Sequence, residues 1–250
     1  KALIFLFLFA CLPVAAQDYL VWSKRYDYNV HDVRYSPDEK TVAVAHGDSI
    51  SILSADDGRI LRTIGTTTER FTIGRILLTP DGSSVIIHYE YSKLVERRNL
   101  VNGTVEDTLL KNYTLLPTIK YVNYMALSPD GLFLAATYTR TDESTFLVVV
   151  DTKTGKEVLN KEEQEYHQVE FTHDGKKLVA IRSSYYSILR NMIRPQIELY
   201  TVPDFNYWSG YMSEEAQVKI SVNAIDFSYN DSLLALVTTG GGAAYYAIWL

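Results

Sequence analysis

Cysteine is nearly absent from this chain of 250 residues, and the single one is Cys11. The residues after it can form no disulfide bond and offer no thiolate for a metal or for nucleophilic catalysis. The sequence also lacks the motifs typical of phosphate-binding loops, dinucleotide-binding folds, zinc hydrolases and serine nucleophile elbows. We therefore predict no catalytic residue, no bound metal and no cofactor, and hence a protein that is not an enzyme.

Positive charge is in deficit, with 24 Lys and Arg against 30 Asp and Glu and a formal net charge of −6. Nucleic-acid binding needs clustered basic residues that displace counterions, so the sequence predicts no nucleic-acid partner.

Helical periodicity of 3.6 residues is missing from every long segment, which argues against a helical fold. The 19 tyrosines instead favour β-strands.

A long apolar run occurs at the N-terminus, where residues 1–17 read KALIFLFLFACLPVAAQ. One basic residue, a short apolar core and the small residues at 14–16 predict a secretory signal peptide over 1–16 and an exported mature chain, periplasmic or extracellular. The apolar run is shorter than a transmembrane helix usually requires, and the sequence predicts no membrane span. A less favoured alternative is lipoprotein anchoring at Cys11, because Phe9 fits the required motif poorly.

A short motif recurs five times, as YSPDE, LTPDG, LSPDG, FTHDG and FSYND. Its Ser or Thr anchors are 43, 49, 44 and 56 residues apart, at Ser36, Thr79, Ser128, Thr172 and Ser228. Ser bonds the local backbone, Pro presets φ, and Gly adopts the left-handed conformation of a hairpin turn. Glu39 and Asp231 replace this glycine, so both are predicted at positive φ, at a cost of about 1 kcal/mol for Glu39.

Large apolar residues stand one and three positions before every anchor, and period-two spacing predicts that they share one buried strand face. They are Tyr35, Leu78, Leu127, Phe171 and Phe227, with Val33, Ile76, Met125, Val169 and Ile225. The positions between them hold both polar and apolar residues, and we expect these positions to be free to vary. Three further strand-like runs follow the first in a full unit, which gives four strands per repeat.

The SPDG turn before an apolar strand, followed later by VVVDTKTGKEVL (148–159), resembles WD-repeat or YVTN-type β-propellers of the bacterial exported kind. The resemblance covers residues 17–250 and implies an all-β fold of four-stranded blades. The Trp-Asp dipeptide itself is missing, with Val150-Asp151 and Trp249-Leu250 each preserving half of it. The implied blades lie near 29–65, 70–110, 120–161, 166–212 and 220–250, with 18–27 as a closing strand.

Two interpretations of the blade number remain open. The chain is either a closed ring of five blades, completed by pairing the N-terminal strand with the last blade, or a fragment of a larger ring. We favour the fragment.

Candidate binding residues occur at two places on one predicted rim. Five positions before the anchors stand His31, Gly74, Asn123, His167 and Asn223, and these residues, with Asp32, could converge on a small ligand or metal. The favoured alternative is that each residue hydrogen-bonds to the backbone at the start of its own strand.

An insertion in the fourth blade, residues 183–195, carries Tyr185, Tyr186, Arg190 and Arg194. These residue types are typical of binding surfaces, although the insertion could instead pack on a neighbouring blade. The segment 88–91, HYEY, is a fainter candidate.

These features predict an exported, non-enzymatic scaffold that binds a protein, peptide or glycan on one propeller face. Two alternatives remain. One is an enzyme centred on the channel, of the lactonase or quinoprotein propeller type. The other is the regulatory propeller of a larger hydrolase.

Overall fold

The computed structural model describes residues 21–66, 72–114, 116–162, 166–187, 192–212, 221–239 and 244–249. The predicted signal peptide and Cys11 lie outside the described residues, as does Arg190.

Five antiparallel sheets, here called blades 1 to 5, follow one another along the chain. In every blade the strands pair in chain order, so that the first strand forms one edge. Blade 1 comprises β1 (Val30–Tyr35), β2 (Thr41–His46), β3 (Ser49–Ser54) and β4 (Ile60–Gly65). Blade 2 comprises β5 (Ile73–Leu78), β6 (Ser84–Tyr89), β7 (Val95–Asn99) and β8 (Val105–Leu109).

Blades 3 and 4 have four strands each, and three are described for blade 5. Blade 3 comprises β9 (Ile119–Leu127), β10 (Phe133–Arg140), β11 (Thr145–Asp151) and β12 (Glu157–Lys161). Blade 4 comprises β13 (Tyr166–Phe171), β14 (Lys177–Ser187), β15 (Met192–Thr201) and β16 (Tyr207–Met212). Blade 5 comprises β17 (Ser221–Phe227), β18 (Leu233–Thr239) and β19 (Ala244–Trp249). A four-residue helix, α1 (Lys111–Thr114), follows blade 2, and no helix among the described residues is long and apolar enough to cross a membrane.

The first strands of successive blades contact one another, β1 with β5, β5 with β9, β9 with β13, and β13 with β17. The blades are therefore arranged around a common axis with their first strands innermost, which confirms the predicted all-β propeller. The described blades do not close into a ring, and this open arc agrees with a partial propeller.

Apolar faces of neighbouring blades pack together and form the core. Between blades 1 and 2, Ala43 and Ile50 of one sheet meet Ile76 and Val85 of the next. Similar clusters fill the space between blades 2 and 3, 3 and 4, and 4 and 5. The long apolar runs are explained by sheets that are covered on both faces.

The prediction of a buried face one and three residues before each anchor is wrong in blade 1. Val33 and Tyr35 are 50% and 65% exposed, because no described blade covers this side of the sheet. An N-terminal segment covers part of the same face: Trp22 Nε1 donates to the Ala55 carbonyl at 2.8 Å, and the Tyr26 ring lies near Val42. The segment forms no strand over 21–26, and the pairing of 18–27 with the last blade stays a prediction.

The repeat turn, which joins the first two strands of a blade, has the predicted chemistry. In blade 3 the Ser128 hydroxyl donates to Asp130 Oδ1 at 2.6 Å and accepts from the Phe133 N–H at 2.9 Å. Glu39 and Asp231 have φ of 58° and 55°, which confirms that both replace a left-handed glycine.

The repeat turns also touch one another from blade to blade. A Cβ built on Gly131 would lie 3.0 Å from Pro80 Cδ of the preceding blade, so this glycine is needed for space as well as for its φ of 73°. The turn of blade 5 contacts the turn of blade 4 in a different way. The Asp231 carboxylate accepts hydrogen bonds from the backbone N–H groups of His173 and Asp174 at 2.9 and 2.8 Å. The motif thus shapes each hairpin and links neighbouring blades.

Candidate functional site

A β-bulge interrupts the innermost strand of every blade at the same place. In blade 1, Val30 pairs with His46 and Asp32 with Ala45, which leaves His31 as the extra residue. The extra residues of the five blades are His31, Gly74, Asn123, His167 and Asn223. A bulge leaves its extra residue outside the ladder and increases the local twist. The recurrence of these five positions therefore has a structural cause.

The bulge side chains make separate, local contacts. His31 Nδ1 lies 3.3 Å from Glu90 Oε1 in blade 2, and Asn123 Oδ1 accepts a hydrogen bond from Thr139 Oγ1 at 2.9 Å within its own blade. His167 is exposed, and the side chain of Asn223 lies outside the described residues. Among the described residues, no three His, Cys, Asp or Glu side chains form a group that could hold a metal ion.

Asp32 joins blade 1 to blade 2. Its carboxylate accepts from the backbone N–H of Val33 at 2.9 Å and from that of Ile76 at 3.0 Å. The Arg34 guanidinium lies 3.3 Å away, on the same strand. These contacts engage both carboxylate oxygens of Asp32, so the side chain has a structural role in joining the two blades.

The residues two and four positions before the anchors lie on the face of the inner strand that packs against the next blade, where Ala126 and Tyr124 belong to the packing between blades 3 and 4. Because the inner strands are innermost, the polar residues at these positions lie at the axial edge of the spaces between blades. We call this set the channel cluster; its members are Arg34, Arg75, Tyr124, Gln168, Glu170 and Asp226.

Arg75 and Tyr124 form the most clearly defined contact of the channel cluster. The guanidinium carbon lies 3.5 Å from the centre of the tyrosine ring, a cation–π geometry between blades 2 and 3. Arg75 pairs in register with His88, which is buried. Burial, together with the Arg75 charge, lowers the pKa of His88 to about 4, so this imidazole is neutral at physiological pH.

Glu170 has the most unusual protonation in the channel cluster. Loss of hydration raises the pKa of its half-buried carboxyl to about 7, against the opposing positive charges of Arg34 and Arg75. The negative charge of Asp226 raises the pKa further. Three charged groups from blades 1, 2 and 5 therefore act on one carboxyl of blade 4.

Gln168 lies two residues before Glu170 and faces the same side of β13. Its side chain is only 6% exposed, and its Oε1 atom has no hydrogen-bond partner in the structure. A buried acceptor left unsatisfied costs about 1–3 kcal/mol. The channel cluster thus contains an unused acceptor beside a weakly acidic carboxyl.

Sequence reasoning missed the channel cluster because the positions two residues before the anchors were expected to vary freely. A signal was present: Arg34, Glu170 and Asp226 are charged residues flanked on both sides by apolar ones. The sequence directed attention to the bulge residues instead, because they recur five positions before every anchor.

The blade 4 insertion forms a two-stranded extension of β14 and β15, with Ser184 paired to Arg194 and Ser187 to Met192. Tyr185 and Tyr186 lie on this ribbon, whose side chains are outside the described set. Partner binding by the insertion stays a prediction.

Comparison with known proteins shows a fold and no family. No family model matches the chain, and no curated protein matches its sequence. Among solved structures, hydrazine synthase of Kuenenia stuttgartiensis is similar at 16% identity and a TM-score of 0.64 over 86% of this chain. The β-propeller domain of Cps50 (Swd1) from Myceliophteria thermophila is similar at 13% identity and a TM-score of 0.67 over 88% of this chain.

These similarities support the β-propeller fold alone. The chain spans 57% of the hydrazine synthase chain and 70% of the Cps50 domain.

Proposed function

We propose that this protein is an exported propeller of the WD-repeat or YVTN-like kind and acts as a non-enzymatic binding scaffold. Its partner is a protein, peptide or glycan held on the rim that carries the bulges and the blade 4 ribbon. The observation that carries the proposal is the channel cluster, where the inner strands bring polar side chains of several blades near one axis and the Gln168 Oε1 atom has no hydrogen-bond partner. Loops presented by a rigid scaffold are typical recognition surfaces.

Exposed aromatic residues on the same rim add to this surface. The Tyr91 side chain is 81% exposed, and its ring meets the Tyr121 ring edge to face at 6.0 Å. The Lys120 ammonium lies 5.6 Å from the centre of the Tyr121 ring. Tyrosine gives large contact area with little loss of side-chain entropy, which suits a binding rim.

The test is to pan a random peptide library and a glycan array against the purified mature chain, and then to measure selected ligands with variants. We expect Tyr91→Ala or the pair Tyr185→Ala and Tyr186→Ala to weaken binding about tenfold, or roughly 1.4 kcal/mol. Tyr229→Ala is the matched control, since Tyr229 is 98% exposed in a repeat turn on the other rim. Ligands that lose affinity only with the Tyr229 variant would place the binding surface elsewhere.

The non-enzymatic part of the proposal has its own test. A stoichiometric divalent ion in the purified protein, together with lactone hydrolysis that a chelator abolishes, would favour the channel-centred enzyme instead. Export is tested by mass spectrometry of the protein from culture fractions. We expect a mature chain that begins at Gln17, whereas a diacylglyceryl group on Cys11 would establish the lipoprotein alternative.

A further inference from the structure

We infer that one face of blade 1 is a docking surface for an aromatic peptide segment of a partner protein, and that residues 21–28 of the chain occupy it as a displaceable internal ligand. We call residues 21–28 the strap, and the sheet surface beneath it the open face. The inference goes beyond the proposed function, because the open face is a sheet surface and not a rim of loops. Its partner is a segment with two aromatic side chains four positions apart.

The open face is apolar and lies on the side of blade 1 that no described blade covers. Its members are Val33, Tyr35, Val42, Val44 and Leu53. The strand register pairs these residues directly across β1, β2 and β3, which puts them on one side of the sheet. The last three are 5% exposed or less, because Trp22 and Tyr26 of the strap pack against them.

Trp22 makes the most specific contact of the strap. Its Nε1 atom donates to the Ala55 carbonyl at 2.8 Å. Its ring covers Gly58 in the turn between β3 and β4, where an added Cβ would lie 2.6 Å from Trp22 Cδ2 and Cε3. Only glycine at this position leaves room for the indole ring, so the open face contains a place that an indole side chain fits.

Two tyrosines extend the contact along the blade. The Tyr26 ring lies 4.4 Å from the His46 ring, centre to centre, and Tyr28 Cγ would lie 3.5 Å from a Cβ built on Gly47. The strap forms no strand over 21–26, so aromatic side chains and not a strand ladder hold it. A contact that depends on a few side chains can be replaced by another segment that presents the same ones.

The uncovered part of the open face favours a partner protein over a second copy of the chain. Val33 and Tyr35 remain 50% and 65% exposed beside the strap. A strap from a second copy would leave the same residues exposed, and it competes with an internal strap that directly precedes β1 and has a high effective concentration. A partner segment with further apolar residues can cover Val33 and Tyr35 as well, and this added burial favours displacement of the strap.

Charge describes the partner segment further. Lys24 and Arg25 lie between the aromatic residues of the strap and are exposed. The turns at the two ends of the open face carry the exposed acidic residues Asp48 and Asp56. Opposite charges on the two surfaces assist association, so basic residues between the two aromatic ones suit this site.

The experiment measures binding of a labelled peptide of residues 21–28, VWSKRYDY, to the mature chain by fluorescence anisotropy. The emptied variant combines Trp22→Ala with Tyr26→Ala, and urea unfolding checks that it is folded. We expect the peptide to bind the emptied variant at least tenfold more tightly than the unaltered chain, because the internal strap no longer competes. Trp22→Phe, which removes the hydrogen bond to Ala55, should give a smaller gain in the same direction.

Two glycines provide matched variants of the emptied chain. Gly58→Ala should weaken peptide binding at least tenfold, because its methyl group occupies the place of the indole ring. Gly155 is in the corresponding turn of blade 3, has the same φ of 67° and has nothing within 4 Å of an added Cβ, so Gly155→Ala should change affinity less than twofold.

Three results would contradict the inference. The first is no peptide binding by either the emptied variant or Trp22→Phe, and the second is equal affinity with and without Gly58→Ala. The third is a concentration-dependent dimer of the unaltered chain that the emptied variant does not form in sedimentation equilibrium, which would assign the open face to a second copy. A peptide library panned on the emptied variant should select two aromatic residues four positions apart.

Discussion

Asp32 accepts a hydrogen bond from the backbone N–H of Ile76 at 3.0 Å, and this contact joins the inner strands of blades 1 and 2. Ile76 is fully buried, so no water can replace the lost acceptor. We predict that Asp32→Ala lowers the free energy of unfolding by about 1–3 kcal/mol in urea titrations. Asp32→Asn keeps an oxygen acceptor and should cost less than half as much; equal losses would show that the charge pair with Arg34 dominates.

The glycines of the repeat turns give a second test, because two of them share a left-handed φ but differ in surroundings. Gly131 faces Pro80 of the previous blade, whereas a Cβ on Gly82 would meet nothing within 4 Å. We predict that Gly82→Ala costs about 1 kcal/mol and that Gly131→Ala costs roughly 1 kcal/mol more. The extra loss should disappear when Pro80→Ala is combined with Gly131→Ala in a double-mutant cycle. Additive losses would mean that the two turns do not touch.

A buried network in blade 4 gives a prediction at alkaline pH. The Glu198 carboxylate accepts hydrogen bonds from the Tyr166 and Tyr200 hydroxyls at 2.6 and 2.5 Å and pairs with Arg182 at 3.1 Å. Burial and the neighbouring carboxylate raise the pKa of both tyrosines well above the ordinary value.

A raised folded-state pKa means that this stabilisation is complete below about pH 10 and is lost as the pH rises further. Tyr166→Phe should therefore reduce the loss of stability above pH 10 by about 1.4 kcal/mol per pH unit, as measured by urea unfolding. The exposed control, Tyr229→Phe, should leave the slope as it is. An unchanged slope in Tyr166→Phe would remove this hydroxyl from the network.

The repeat turn shows how much of the fold could be predicted from the sequence. Ser, Pro, Asp and Gly act through local backbone chemistry, so their order predicted the hairpins, and even the positive φ of Glu39 and Asp231. The spacing of the turns and the apolar runs between them then indicated blades. Exposure of Val33 could not be predicted, since it depends on whether another sheet covers blade 1.

The candidate site was harder to predict because a bulge is invisible in a single sequence. The extra residue at His31 or Asn123 is left out of the strand pairing, and only the register of the ladder reveals it. The burial of Gln168 and the shifted pKa of Glu170 arise only in the folded chain, and charged side chains from blades 1, 2 and 5 act on Glu170. Such properties follow from the assembled arc and have no local signature.

The most direct test of the whole account is the titration of the Glu170 carboxyl, followed by carbon-13 NMR in the unaltered chain and in Arg34→Ala and Arg75→Ala. Blades 1, 2 and 4 share one axis, so the account predicts a pKa of about 7 that rises further when either arginine is removed. An ordinary glutamate pKa that neither substitution changes would contradict it.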